Sequence, residues 1–142
     1  MQVTFEGKPL TLVGAQLKVG YKLPNITLTA NDLSSVSTHD KKGTRVFLTV
    51  PSLDTPVCDT EVRRFNHEVS KLKDVFIYAI SLDLPFAQAR WCGAAGIDNV
   101  QIVSDYKNRD FGKATGTFIN ELALLTRSVI IVNENNEVTY VE

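Results

Sequence analysis

Cysteine is scarce in this sequence. Its 142 residues include two, Cys58 and Cys92, too few for the disulfide framework of a small secreted domain and short of the four ligands of a structural zinc site. His39 and His67 could complete a Cys2His2 set only without the usual spacing of such sites, so both read as surface histidines. An excess of charge is lacking too: 15 lysines and arginines stand against 16 acids, a formal charge of -1. That balance excludes the basic face of a nucleic-acid binder and the polybasic run of a membrane-surface protein, and leaves small or peptide-like partners as the expectation. Nowhere does an apolar run reach the length of a membrane span, and M-Q-V-T-F-E-G-K-P-L has neither the basic nor the apolar region of a leader. A soluble, cytoplasmic protein is expected. Repeats, low-complexity tracts and linkers are missing as well, so residues 1–142 read as one domain, a size that buries roughly two-thirds of its unfolded surface.

What is present begins with two short alternating segments, Val3 to Phe5 and Leu10 to Val13, which read as a hairpin over residues 1–14 decorating a larger sheet. I-T-L-T-A (26–30) follows, then a polar stretch over 31–40. V-F-L-T-V (46–50) and V-F-I-Y-A-I-S (75–81) have the β-branched content of buried central strands. Between them Val62, Phe65, Val69 and Leu72 recur at spacings of three and four, one face of a helix. Asp83 is placed to cap a second helix that has Pro85 in its first turn, carries Cys92 and stops near Gly93 or Gly96. A short strand over 99–103, a helical piece over 111–115 and a hairpin turning at Asn133 to Asn136 complete the pattern. The order predicts an α/β protein with a thioredoxin-like fold: a mixed central sheet, flanking helices and the N-terminal β-hairpin. That fold closes with a helix after the final hairpin, and no such C-terminal helix precedes Glu142. Either that helix lies outside this sequence or another surface covers the apolar face it would have covered.

P-S-L-D-T-P-V-C-D-T-E-V-R (51–63) carries the chemistry. With Thr55 or Asp54 as N-cap and Pro56 at the first helical position, Cys58 falls in the first turn of a helix. Main-chain N–H groups there have no carbonyl partners, and their dipoles stabilise an anion. A cysteine in such a place, with a cation beside it, can fall from a pKa near ~8.5 to about 3.5–7.5 and present a nucleophilic thiolate. Asp59 and Glu61 oppose this by like-charge repulsion, so a nearby cation is required. Arg63, Arg64 and Arg127 are the candidates. An arginine on the helix itself usually points to solvent, whereas Arg127 opens an apolar strand where a charge needs a reason, so Arg127 is preferred.

The spacing Pro51-x-x-x-Thr55-x-x-Cys58 resembles the signature of the peroxiredoxins. S-L-D-L-P-F-A-Q-A-R-W-C-G-A-A-G resembles the segment that carries the resolving cysteine in their bacterial thiol peroxidase subgroup, and the likeness spans nearly the whole chain. It implies that Cys58 attacks the O–O bond of a hydroperoxide and becomes a sulfenic acid, with Pro51 shielding the sulfur, Thr55 bonding the peroxide and Arg127 holding thiolate and peroxide oxygen. It further implies that Cys92 condenses with the sulfenic acid to form an intrachain disulfide, reduced by thioredoxin, in a homodimer that needs no metal, flavin or haem. Trp91 and Phe86 read as packing groups. The sequence departs from the subgroup at Pro56, where glycine is common, and at Thr126 and Ser128, where small apolar residues are.

Two other readings are a thiol–disulfide oxidoreductase, disfavoured because no C-x-x-C is present, and a redox sensor in which a Cys58–Cys92 bond changes the protein's shape. Reactivity toward peroxide separates them.

Overall fold

Two apolar runs set the centre of the molecule. In the computed structural model, which describes residues 2–5, 8–14, 16–54, 60–64, 67, 75–95 and 100–142, they form strands β5 (Thr44–Thr49) and β6 (Val75–Ser81). These lie parallel, with Phe47 opposite Tyr78. β7 (Val100–Ser104) continues the parallel set on the far side of β6. The connection between β6 and β7 includes the Pro85–Ala95 helix, as a parallel crossover requires. β3 (Thr27–Ala30) and β4 (Ser35–Ser37) add antiparallel strands beyond β7, while β10 (Ser128–Val132) and β11 (Val138–Val141) form an antiparallel hairpin against β5. The result is the expected mixed sheet, seven-stranded, in the order β11-β10-β5-β6-β7-β3-β4.

Two features differ from expectation. The polar stretch after Ala30 contains β4, and the N-terminal hairpin, β1 (Gln2–Phe5) with β2 (Lys8–Val13), is not attached to the central sheet. It pairs instead with β8 (Phe118–Ile119), which pairs with β9 (Leu124–Leu125), to make a second, four-stranded sheet. Strands of two residues carry no readable alternation, so nothing in the local sequence announces this partner.

Strand alternation sends successive side chains of the central sheet to opposite faces. On one face Phe47, Tyr78, Ile80, Val103, Ile130 and Val132 meet Phe111, Phe118 and Leu125. The other face gathers Val46, Leu48, Val50, Ile77, Ala79 and Ile102 around Val62, with Trp91 and Cys92 at its margin. Val62 belongs to a helical stretch, residues 60–64, and is fully buried, which agrees with the helical face read from the sequence; Phe65, Val69 and Leu72 lie outside the described residues.

Polar groups fix the junctions. Arg45, at 1% exposure, donates to the carbonyl oxygens of Thr38 and Asn133 at 2.7 Å each and of Gly43 at 3.3 Å. Asp105 follows β7 and accepts the N–H groups of Phe111 and Gly112 at 3.1 and 2.8 Å, tying the Asp110–Thr115 helix to the sheet. At Gly112 a Cβ would lie 2.6 Å from Leu125 Cδ2 and 3.0 Å from Phe118 Cβ, so a larger residue would have to push these core side chains aside. No helix among the described residues is long and apolar enough to cross a membrane.

Candidate active site

The loops that leave the carboxyl ends of β5 and β6 lie side by side, the edge at which open α/β sheets usually bind ligands. β5 is followed by Val50, whose N–H still donates to Ile80 O at 3.0 Å, and then by half-buried Pro51, which has no N–H with which to continue the ladder. The chain turns away at Ser52–Asp54. Leu53, at 2% exposure, plugs the turn into the second core face.

One carboxylate holds this loop. Asp83, just after β6, accepts from Ser52 Oγ at 2.8 Å, from Leu53 N–H at 2.9 Å and from Ser81 Oγ at 2.8 Å. Ser81 Oγ in turn accepts from the fully buried Gln88 amide at 3.1 Å, and that amide also donates to Val103 O at 2.9 Å. Asp83 therefore ties the strand leading toward Cys58 to the helix that carries Cys92. Its position before Pro85 suggests a local cap; these bonds run instead to the Ser52–Leu53 turn, thirty residues back in the chain.

Thr55 and Cys58 fall within 55–59 and lie outside the described residues. Pro51 sits on their amino-terminal side and the helical residues 60–64 follow, so the described chain brackets the expected helix start from both ends. Arg127 reaches this helix. Its Nε lies 3.2 Å from Glu61 Oε2, which places the preferred cation beside the turn that follows Cys58. Burial raises the Glu61 pKa, Arg127 pulls it down and Glu142 pushes it up.

The main chain on each side of Arg127 is pinned. Thr126 donates its N–H to Thr117 O at 2.7 Å, and its carbonyl accepts from Thr49 Oγ1 at 2.7 Å. Ser128 Oγ meets the same Thr49 hydroxyl at 2.5 Å. The Thr126 carbonyl and the Ser128 hydroxyl thus both bond the buried Thr49 at the end of β5, two residues before Pro51.

Cys92 is half-buried on the Pro85–Ala95 helix, packed against the second core face, and is a free thiol. Burial pushes its pKa up, while the Asn31 side-chain amide, 3.6 Å from Sγ, pulls it down. Beside it, Trp91 packs against the core as expected and lies under the Arg63 guanidinium, 5.8 Å from the ring centroid. Arg63, read as a solvent-facing arginine, thus links the helical stretch after Cys58 to the helix of Cys92. Phe86 departs from expectation. It is 68% exposed, because the helix turns Pro85 and Gln88 inward, and an open cleft of about 720 Å³ runs between it, Trp91 and Arg90 on one side and Ser52, Leu53 and Asp83 on the other.

Sequence reading missed Asp83 as a tether, Thr49 as an anchor and Asn31 altogether. Thr49 had a signal: it is the lone polar residue in V-F-L-T-V. His39, read as a surface histidine, is part-buried with Nε2 2.9 Å from Leu23 O; no group of three or more potential metal ligands occurs among the described residues.

Comparison with known proteins adds an independent line. Residues 18–142 match the Redoxin family. The thiol peroxidase of Clostridium acetobutylicum is 53% identical over 140 residues, covering 99% of this chain and 85% of the relative. That of Bacillus subtilis is 52% identical over 142 residues, with the same coverage. Among solved structures, a peroxiredoxin-like protein from Aquifex aeolicus superposes with a TM-score of 0.93 at 40% identity, covering 99% of this chain and 84% of that one. A thiol peroxidase from Chromobacterium violaceum superposes with a TM-score of 0.90 at 21% identity, a likeness of fold. Both fit the thioredoxin-like architecture expected from the sequence.

Proposed function

The chain belongs to the redoxin family and is a thiol peroxidase within it, and from that premise we propose that Cys58 is the peroxidatic thiol and Cys92 its resolving partner. The Cys58 thiolate attacks one oxygen of hydrogen peroxide or a small organic hydroperoxide. An S–O bond forms, the O–O bond breaks, and the second oxygen leaves as water or an alcohol once protonated. Cys92 then displaces the sulfenic hydroxyl, giving an intrachain disulfide and water, and a thioredoxin dithiol returns both sulfurs to thiols. The electrons come from thiols throughout, so no metal, flavin or haem is called on.

The observation that carries this reading is the Arg127–Glu61 pair. It brings a permanent cation to the first described turn after Cys58, where it can offset the acids of that helix and meet the negative charge that develops as the O–O bond parts. In this reading Pro51, at the turn that Asp83 tethers, limits water at the sulfur, and Thr55 is the hydroxyl assigned to the peroxide. The cleft beside Phe86 and Trp91 offers an apolar wall to an organic hydroperoxide. A cytoplasmic setting, where thioredoxin keeps thiols reduced, and a homodimer belong to the same reading.

Mixing reduced protein with one equivalent of peroxide tests it. Thiol loss is expected orders of magnitude faster than for free cysteine, and Cys58→Ser should abolish the fast phase. A folded protein whose Cys58 reacts no faster than the free amino acid would refute the assignment.

A further inference from the structure

Asn31 stands apart from every residue assigned so far. It lies in the turn between β3 and β4, whose shape is set by main-chain bonds from Leu33 N–H to Ala30 O at 2.9 Å and from Ala30 N–H to Ser34 O at 2.9 Å. Leu33 takes a positive φ of 71°, and Asp32 accepts the Ser34 N–H at 3.0 Å, so the turn is held from within. From it the Asn31 side chain crosses to the Pro85–Ala95 helix, where Nδ2 lies 3.6 Å from the Cys92 sulfur. Its Oδ1 is buried with no hydrogen-bond partner among the described residues. An asparagine held only for architecture would be expected to satisfy that carbonyl.

We propose that Asn31 is a positioning residue for the resolving step, its amide holding the Cys92 sulfur in place and donating to it while it carries negative charge. The inference rests on the reading of Cys92 as the resolving thiol. In that step Cys92 gives up a proton, its sulfur bonds the Cys58 sulfur, and the sulfenic S–O bond breaks, the hydroxide leaving as water with that proton. The attacking sulfur is therefore an anion against an apolar core face that disfavours charge. A donated N–H opposes that cost. The charged side chains on neighbouring elements are otherwise engaged or distant from this role: Asp32 bonds Ser34, Arg63 lies over Trp91, and Arg90 is exposed on the cysteine's own helix. The unpartnered Oδ1 fits a side chain that serves two states, since rotating the amide lets the carbonyl accept from the neutral thiol.

The test titrates Cys92 alone, in a Cys58→Ser background, by its rate of alkylation against pH. Asn31→Ala should raise the Cys92 pKa, and the near-isosteric Asn31→Asp should raise it further by adding a carboxylate's repulsion. With Cys58 restored, one equivalent of peroxide followed by quenching and mass spectrometry should show disulfide formation about fivefold slower in Asn31→Ala, equivalent to ~1 kcal/mol, so that the sulfenic acid persists. Should Asn31→Ala fail to fold, Asn31→Asp alone carries the test. An unchanged Cys92 titration in a folded variant overturns the inference. Failure of the underlying reading looks different: Cys92→Ser would then keep thioredoxin-supported turnover, whatever Asn31 does to the titration.

Discussion

The two faces of the central sheet are built to different ends. On the first, aromatic rings close the core: Phe47 stacks on Tyr78 at 5.2 Å between centroids and meets Phe111 at 5.5 Å, with the small sheet's Phe118 and Leu125 in the same cluster. The second face is aliphatic at its centre and half-open at its margin, where Trp91, Cys92, Val129 and Ile131 are only partly covered. Cys92, the Leu53 turn and the helical stretch after Cys58 all belong to this second face. On the proposed mechanism, a thiol that meets peroxide, another thiol and a reductant in turn could not sit inside a sealed core. With one face closed for stability, the other can stay accessible.

The largest expected effect comes from breaking the closed face. Phe47→Ala should cost about 3–5 kcal/mol in urea unfolding. Under folding conditions its peroxide reactivity should stay near normal, and a parallel fall in reactivity of the folded variant would mean the two faces are not separable. Removing the tether on the open face should do the reverse. Asp83→Ala leaves two serine hydroxyls and a main-chain N–H without their carboxylate, at about 2 kcal/mol of stability. The rate of thiol oxidation should drop by about tenfold, because the turn before Cys58 loses its anchor; unaltered kinetics would show that the tether is only structural.

A pH-dependent difference comes next. Asp105, at 3% exposure, has its pKa raised by burial from 3.8 to about 6, against the pull of the Gly112 and Phe111 N–H groups. The folded state therefore holds this proton more tightly than the unfolded chain, so stability present below the unfolded pKa is lost as pH rises toward about 6. The loss should be on the order of 3 kcal/mol, and Asp105→Asn should flatten the slope of unfolding free energy against pH over that window. An equally steep slope in the variant would assign the titration elsewhere. The smallest effect belongs to Arg63 over Trp91. Arg63→Met should cost about 0.5–1 kcal/mol and perturb Trp91 fluorescence, while a variant identical to wild type in both would show the contact to be idle.

Long elements were legible from the chain alone and short ones were not. β6 matches its seven-residue apolar run end to end, and Val62 is buried on the side that its spacing implied. β8 and β9 escaped notice because two residues cannot display a period. In the candidate site, Arg127 is preferred because a charge opening an apolar strand is costly without a partner, and the partner found among the described residues is Glu61. Asp83 and Asn31 were opaque for a different reason. Their partners, Ser52, Leu53 and Cys92, are thirty or more positions away, and no local pattern encodes a contact that only the sheet's crossing brings about. Phe86 misled because aromatic residues usually fill interiors, whereas here Gln88 takes the inward register through its bonds to Ser81 and Val103.

The buried guanidinium of Arg45 has a consequence for how the molecule would withstand harsh surroundings. Its described partners are three peptide oxygens, two from the nearby residues Thr38 and Gly43 and one from the distant Asn133, and peptide oxygens do not titrate, while the guanidinium keeps its proton at any ordinary pH. Acid that dissolves carboxylate pairs would leave this rivet in place, and added salt, kept out by its burial, would screen it little. Lysine could carry the same charge, but not the flat fork that spans three directions at once.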